Sequence, residues 1–334
     1  MSPYQHSLFQ HIRSVLPANL SLADELADIL AISMDSAYRR IRGEKAMDIE
    51  ELATVCRHFK ISIDQVLNLN TSNTVYSGEF IEPGKFDVTE YLDKQLRLMQ
   101  QVTSFKDKEV YYFSKDLPIW YHYMFPNLAA FKIFSWMKTL LHYKPWQGKK
   151  FSLEEMIPLY AEKTQQIAKV CCQLPMYEIM NVENIHITLR HIDFFRDTGQ
   201  FATEGDMEAI IKDLEKMVAH MEDICSQGKK FMPGLQPHST AAFCKVYVSE
   251  VTIGDNSILY VVDGKKIGLN TFSIVNMMTT QDERYCNYQY TFLQNIMQKS
   301  TLISEAGERE RTMFFNEMRE KIREHKNKRP KSQV

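Results

Sequence analysis

Apolar positions in the first seventy residues recur at helical spacing in short, separately capped runs. Tyr4 to Leu16 carries Leu8, Ile12 and Val15 or Leu16 on one side, and Pro17 stops it. Ser21, with Asp24 three residues on, opens a second run through Leu22, Leu26, Ile29 and Leu30. Ser33 caps a third that ends before Gly43. Asp48 caps a fourth, with Leu52, Val55, Cys56 and Phe59 inward, and Ser62 a short fifth, IDQVLNL. Five brief helices in this span predict a compact all-α unit over residues 1–69.

Residues 70–85 are polar, contain Pro and Gly and lack periodic apolar positions, so they read as a linker or long loop. Beyond them Val88, Leu92, Leu96, Met99 and Val102 fall on one helical face, which either packs on its own domain or joins two copies of the chain. Glu109 to Ser114 has the composition of a strand, Leu128 to Tyr143 of a largely buried aromatic helix. Leu153 to Cys171 and Asp206 to Ser226 are amphipathic helices. The period then becomes extended. Cys244 to Ile253, Ser257 to Val262 and Ile267 to Met277 predict three strands, with turns at Gly254-Asp255-Asn256 and Asp263-Gly264, hence an antiparallel meander. Helices around Tyr288 to Ser300 and Glu308 to His325 follow. The fold class expected is α+β: a small all-α domain, then a larger mixed domain over 86–326 and a basic tail over 327–334.

Composition narrows the function. The net charge of −2 excludes a globally basic nucleic-acid coat, so any phosphate contact must come from a local patch. No apolar run is long enough for a membrane span and none resembles a signal peptide, so the chain is expected in the cytoplasm with its six cysteines reduced. His186 and His191, five apart, do not share a helical face, and no other spacing suggests metal ligands. Cys171-Cys172 reads as one buried and one partly exposed thiol rather than a redox sensor. No phosphate loop, dinucleotide fingerprint or nucleophile elbow is present. No catalytic residue, metal or cofactor is assigned, and the protein is not expected to be an enzyme. The aromatic run from Trp120 to Trp136 reads as hydrophobic core, with the lining of a ligand pocket as its other use.

The chemistry lies in residues 21–67. Leu26-Ala27 in one helix, Ile32-Ser33 at a turn, Gly43 after the next helix, Glu51-Leu52, and the closing phrase Ile61-Ser62-Ile63-Asp64 together resemble the Cro/C1-type (XRE-like) helix-turn-helix domains of bacterial and phage repressors. The resemblance covers about a fifth of the chain. It implies double-stranded DNA as partner, with the helix opened by Ser33 lying in the major groove. On that reading Ser33, Met34, Asp35, Ser36 and Tyr38 face the bases. Arg39 and Arg42 read guanine or hold phosphate, and Arg40 and Lys45 hold phosphate. Asp35 either accepts from cytosine N4 or only favours the helix N-terminus. Tyr38 either packs its ring inward or faces DNA. The four basic residues less Glu44 give a local charge of +3.

Three positions depart from the family pattern, one being the isoleucine usual late in the recognition helix, which comes one place later as Ile41 after Arg40. Ala23 stands where a phosphate-anchoring Gln is common, and Ala31 replaces the usual turn glycine, which predicts a strained or reshaped turn. A single small domain makes few contacts, so a homodimer on paired half-sites is expected, with the larger domain serving self-association, sensing of an unidentified small-molecule effector, or both. The competing expectations are a protein-interaction scaffold built on the helical domain and a DNA-directed enzyme.

Overall fold

The structure is a computed structural model. It describes residues 2–16, 20–59, 61–64, 74–78, 81, 86–141, 143–250, 256–272 and 275–327. The chain divides into two compact units, Met1–Tyr76 and Ser77–Val334.

The first unit contains α1 (Pro3–Val15), α2 (Leu22–Leu30), α3 (Met34–Ile41) and α4 (Ile49–His58). Each of the last three starts at a side-chain cap. Ser21 accepts from the Asp24 N–H at 3.5 Å, Ser33 from Ser36 at 3.3 Å and Asp48 from Glu51 at 2.8 Å. These caps satisfy donors that every helix start leaves orphaned. Leu8, Phe9 and Ile12 of α1 meet Leu22, Leu26 and Ala27 of α2, Ala37 of α3, and Val55 and Cys56 of α4 in one small core. Ile63 and Asp64 are helical, while the remainder of the expected fifth helix, residues 65–69, lies outside the described residues, as do Pro17 and residues 328–334 of the tail.

The second unit is built on an eight-stranded mixed sheet of spatial order β1-β7-β6-β5-β2-β3-β4-β8. Its strands are β1 (Ser77–Gly78), β2 (Lys108–Phe113), β3 (Met176–Met180), β4 (Cys244–Val248), β5 (Ser257–Val262), β6 (Lys265–Phe272), β7 (Asn276–Thr280) and β8 (Thr301–Leu302). β1 falls within the stretch read as a linker and pairs antiparallel with β7. Between β2 and β3 run α6 (Ile119–Tyr123), α7 (Pro126–Ser135), a π-helical turn (Trp136–Leu140), α8 (Lys144–Gln147) and α9 (Leu153–Cys171). Between β3 and β4 run α10 (Ile185–Asp197) and α11 (Glu204–Gln227). These long connections let β2, β3 and β4 lie parallel, as tight turns cannot.

The α+β class and the meander stand, but the membership of the meander is corrected. Its three strands are β5, β6 and β7, all antiparallel. The run from Ile267 to Met277 is two strands, and Cys244–Val248 belongs beside β3 on the far side of the sheet. Period-two alternation identifies a strand and says nothing of its neighbour. The expected turn at Asp263-Gly264 joins β5 to β6 with both residues at positive φ, +45° and +79°, which suits the twist of a two-residue hairpin. Residues 251–255, including Gly254-Asp255, lie outside the described residues.

From Val110 to Phe113 β2 is buried on both faces, which is why VYYF reads as an unbroken apolar run. Val110 and Tyr112 enter the large core under the helices, while Tyr111 and Phe113 meet Cys286, Leu293 and Met297 of α12 (Glu283–Gln298) on the opposite face. The helix α5 (Val88–Ser104) packs on α9 within its own unit, burying Val88, Leu92, Gln95 and Val102. The closing helix α13 (Glu308–Asn327) packs on α11. The aromatic run is core as expected: Trp120, Tyr121, Tyr123, Phe125, Phe131, Phe134 and Trp136 are all buried. Among the described residues no helix is long and apolar enough to cross a membrane.

Candidate nucleic-acid interface

α2 and α3 are joined by Ala31 and Ile32, and the turn is set by backbone bonds alone. Ala31 closes α2 in the left-handed region at φ 51°, ψ 45°, and the Ile32 N–H returns to the Ala27 carbonyl at 3.0 Å. That is a Schellman-type stop made without glycine. The shape survives the substitution, and Ala31 carries the strain.

Ser33 caps α3 and also donates to Ser36 Oγ at 3.1 Å, so both hydroxyls sit at the amino end of the helix. From there the helical period sorts the side chains. Ala37 is fully buried, and Arg40, three residues on, turns inward beside the half-buried Ile41. Met34, Tyr38 and Arg42 at four-residue spacing, with Asp35 and Arg39 alongside, form an exposed stripe. Tyr38 is 48% exposed, so its ring is not part of the core. Lys45 is exposed just beyond.

Arg40 is a correction. Expected at phosphate, it is only 2% exposed and grips Glu51 of α4 with both Nε, at 2.9 Å, and Nη2. Its Nη1 donates to the Ser36 carbonyl at 3.1 Å. The hydrogen bond to Glu51 raises the arginine pKa, and the same bond lowers that of Glu51. A guanidinium with all three nitrogens engaged internally is a strut between α3 and α4. With Arg40 neutralised, Arg39, Arg42 and Lys45 against Glu44 leave a local charge of +2 instead of +3. Glu44 lies close to both exposed arginines, 2.9 Å from Arg42 Nε and 3.9 Å from Arg39 Nε. These pairs are solvated, so a phosphate competes with Glu44 at little cost.

Gln5 of α1 has no counterpart in the sequence reading. Its Nε2 donates to the carbonyls of Arg40 at 2.7 Å and Lys45 at 2.9 Å, and its Oε1 accepts from the Met47 N–H at 3.1 Å. One amide therefore ties down both ends of the loop that follows α3. No short-range signal marks it, because its partners lie about forty residues away.

Residues 12–99 match the family model of the BetR domain, a DNA-binding helix-turn-helix-type domain of regulators. The match spans the exposed stripe of α3 and runs on into α5. No curated protein and no solved structure is matched. The amino-terminal unit is thus similar to the DNA-binding helix-turn-helix domains of regulators.

Proposed function

We propose that this protein is a sequence-specific transcriptional regulator of Cro/C1-like design that binds double-stranded DNA as a homodimer with α3 in the major groove. The carrying observation is the exposed stripe of Met34, Asp35, Tyr38, Arg39 and Arg42 on a helix whose other face is locked by Ala37 and the Arg40–Glu51 pair. Arg39 and Arg42 are the base or phosphate readers, and Lys45 is a phosphate contact. Ser33 and Ser36 stand at the helix start, where hydroxyls and backbone N–H groups meet phosphate. The second unit serves self-association, effector sensing, or both, and performs no catalysis. The protein works in the cytoplasm.

Mobility shift on genomic fragments, followed by sequencing of the bound fraction, tests this reading. Arg42→Ala or Arg39→Ala is expected to weaken specific binding by about 1–3 kcal/mol where the side chain reads a base. An arginine that only holds phosphate weakens all sequences alike and flattens the salt dependence. Folded protein that shifts no fragment at moderate salt would overturn the proposal.

A further inference from the structure

In the second unit, between the sheet and the helices that cover it, lies a cavity of about 120 Å³. Strands β2, β5, β6 and β7 supply most of its floor, and α5, α6, the π-helical turn and α9 its walls. The lining is mostly apolar and aromatic, and the size suits one small ligand, since an apolar cavity of about 150 Å³ takes one benzene ring. The floor includes the line where the parallel half of the sheet meets the antiparallel half, at β2 and β5. Tyr260, in the middle of β5, stands there.

Most polar groups around this space are committed to one another. Gln95 donates to the Tyr91 hydroxyl at 2.8 Å and accepts from Tyr123 at 3.1 Å. Asn256 donates to Thr271 at 3.0 Å. Ser114 donates to the Asp116 carbonyl, and Lys132 pairs with the Asp116 carboxylate. That pair is charge-balanced, so neither an anion nor a cation finds an unmatched countercharge. The Tyr112 hydroxyl has Ser114 and the Ile119 backbone beside it. Trp120 Nε1 has no partner, but it is sealed from water and therefore from the cavity.

The Tyr260 hydroxyl is the exception. It meets no partner among the described residues, yet it is not one of the unpartnered atoms shut away from water. Tyr260 as a whole is only 4% exposed and lines the cavity, so the space its hydroxyl reaches is the cavity. Burial pushes its pKa up, and the Cys171 thiol and Tyr112 add to the shift, so the oxygen keeps its proton. A buried hydroxyl that makes no hydrogen bond is costly, and a ligand that bonds to it recovers that loss. Both its proton and its lone pairs are unused. A ligand hydroxyl can meet either, whereas a carbonyl meets only the proton.

We propose that this cavity binds a neutral molecule of about one ring that carries a hydroxyl group and hydrogen-bonds through it to Tyr260. Calling that molecule an effector rests on the regulatory function above. Occupancy of the cavity does not, so it is measured on the full chain without DNA, and a failure here leaves the mobility-shift result untouched.

The probes are phenol; toluene, in which a methyl group replaces the hydroxyl at nearly the same volume; and benzoate, a ring with an anion. Calorimetric titration into the millimolar range is expected to show saturable binding of phenol about tenfold tighter than toluene, the worth of one hydrogen bond, and no binding of benzoate. Tyr260→Phe removes the hydroxyl and keeps the ring. It should lower phenol affinity to that of toluene, and its retained toluene binding shows that the cavity is still formed. Met99→Trp fills the space from α5 and should abolish both. In the unaltered protein, labelled at the tyrosine Cζ carbons, the resonance that Tyr260→Phe removes should move further with phenol than with toluene. That readout does not depend on how a variant folds. Equal affinity for phenol and toluene would mean that water already serves the Tyr260 hydroxyl, and would overturn the proposal. So would absence of saturable phenol binding, benzoate binding as tightly as phenol, a Tyr260 resonance that phenol leaves in place, or unchanged phenol binding in folded Met99→Trp.

Discussion

The two units handle buried charge differently. In the amino-terminal unit the buried cation, Arg40, reaches a carboxylate that is itself 19% exposed, so one end of the pair stays wet. In the second unit Lys230 and Glu178 are both fully buried, 2.8 Å apart. Tyr121 donates to the same carboxylate at 2.8 Å, and the Lys230 ammonium stands over the Trp120 ring. Burial pulls the lysine pKa down, but Glu178 outweighs it and the net direction is up. The small domain uses an ion pair to brace two helices at its surface. The large one closes a charged cluster inside its core, where the loss of any member leaves a charge with no water to turn to.

The largest effect expected from breaking that contrast follows. Lys230→Met should destabilise the second unit by about 3–5 kcal/mol, since Glu178 then loses the ammonium beside it and stays buried. All three tryptophans, Trp120, Trp136 and Trp146, lie in this unit, so denaturant unfolding followed by tryptophan fluorescence reads it selectively. Replacing the cluster as a whole, with Lys230→Met, Glu178→Leu and Tyr121→Phe together, should recover most of the loss, because apolar groups of similar volume need no partner. A triple variant as weak as the single one would show that packing, not the stranded carboxylate, sets the cost.

Next in size is Arg40→Ala, expected to cost the first unit about 3 kcal/mol. Hydrogen exchange across α3 and α4 should rise, and DNA binding should fall with it. Arg39→Ala and Arg42→Ala should weaken DNA binding with no change in exchange. If Arg40→Ala weakened binding at unchanged protection, the strut assigned to it would be wrong.

Acid should separate the units again. Burial lowers the pKa of His122 to about 3 and of His191 to about 4, and it also lowers those of His186 and His220 in the second unit. In the first unit the corresponding group is the half-buried His11. These histidines are neutral when folded and take up protons near 6.5 when unfolded. Their contribution is therefore complete above pH 6.5 and is lost as the pH falls toward 4 and 3. The loss is about 1.4 kcal/mol per pH unit for each of His122 and His191. Glu51, lowered by its bond to Arg40, contributes above 4.5 and is lost below that. Fluorescence-monitored stability of the second unit should decline steadily from pH 6.5 to 4.5, with α3 and α4 losing less protection over the same range. Equal declines would remove this distinction.

The first unit was legible because its determinants are local. Ser21, Ser33 and Asp48 each cap the helix that starts one residue later, and the structure bears out all three. The inward turn of Arg40 follows from the helical period, since it lies three residues after Ala37 and beside Ile41, while its place in a run of basic residues suggests a solvated charge. Gln5 was not within reach, as its three bonds depend on how α1 crosses a distant loop. In the second unit the strand Met176–Met180 went unseen because Glu178 interrupts it, and a carboxylate there makes sense only once Lys230 is known to arrive from beyond α11. The parallel order of β2, β3 and β4 is likewise a property of crossovers some sixty residues long.

The smallest expected effect concerns Ala31, where the sequence named a strain and the structure located it. An L-residue with a Cβ pays about 1–2 kcal/mol in the left-handed region, and glycine does not. Part of the gain from Ala31→Gly is cancelled, because glycine also loosens the unfolded chain. The net stabilisation should be about 0.5–1 kcal/mol, raising the melting temperature of a unit this size by a few degrees. It should appear as slower hydrogen exchange in α2 and α3 and leave tryptophan-monitored unfolding of the second unit where it was. The Ile32 to Ala27 bond already fixes the turn, so DNA affinity should not change. A variant that gained stability and lost affinity would mean that the strain at Ala31 holds α3 in its reading position, and that the family's usual glycine was replaced for function.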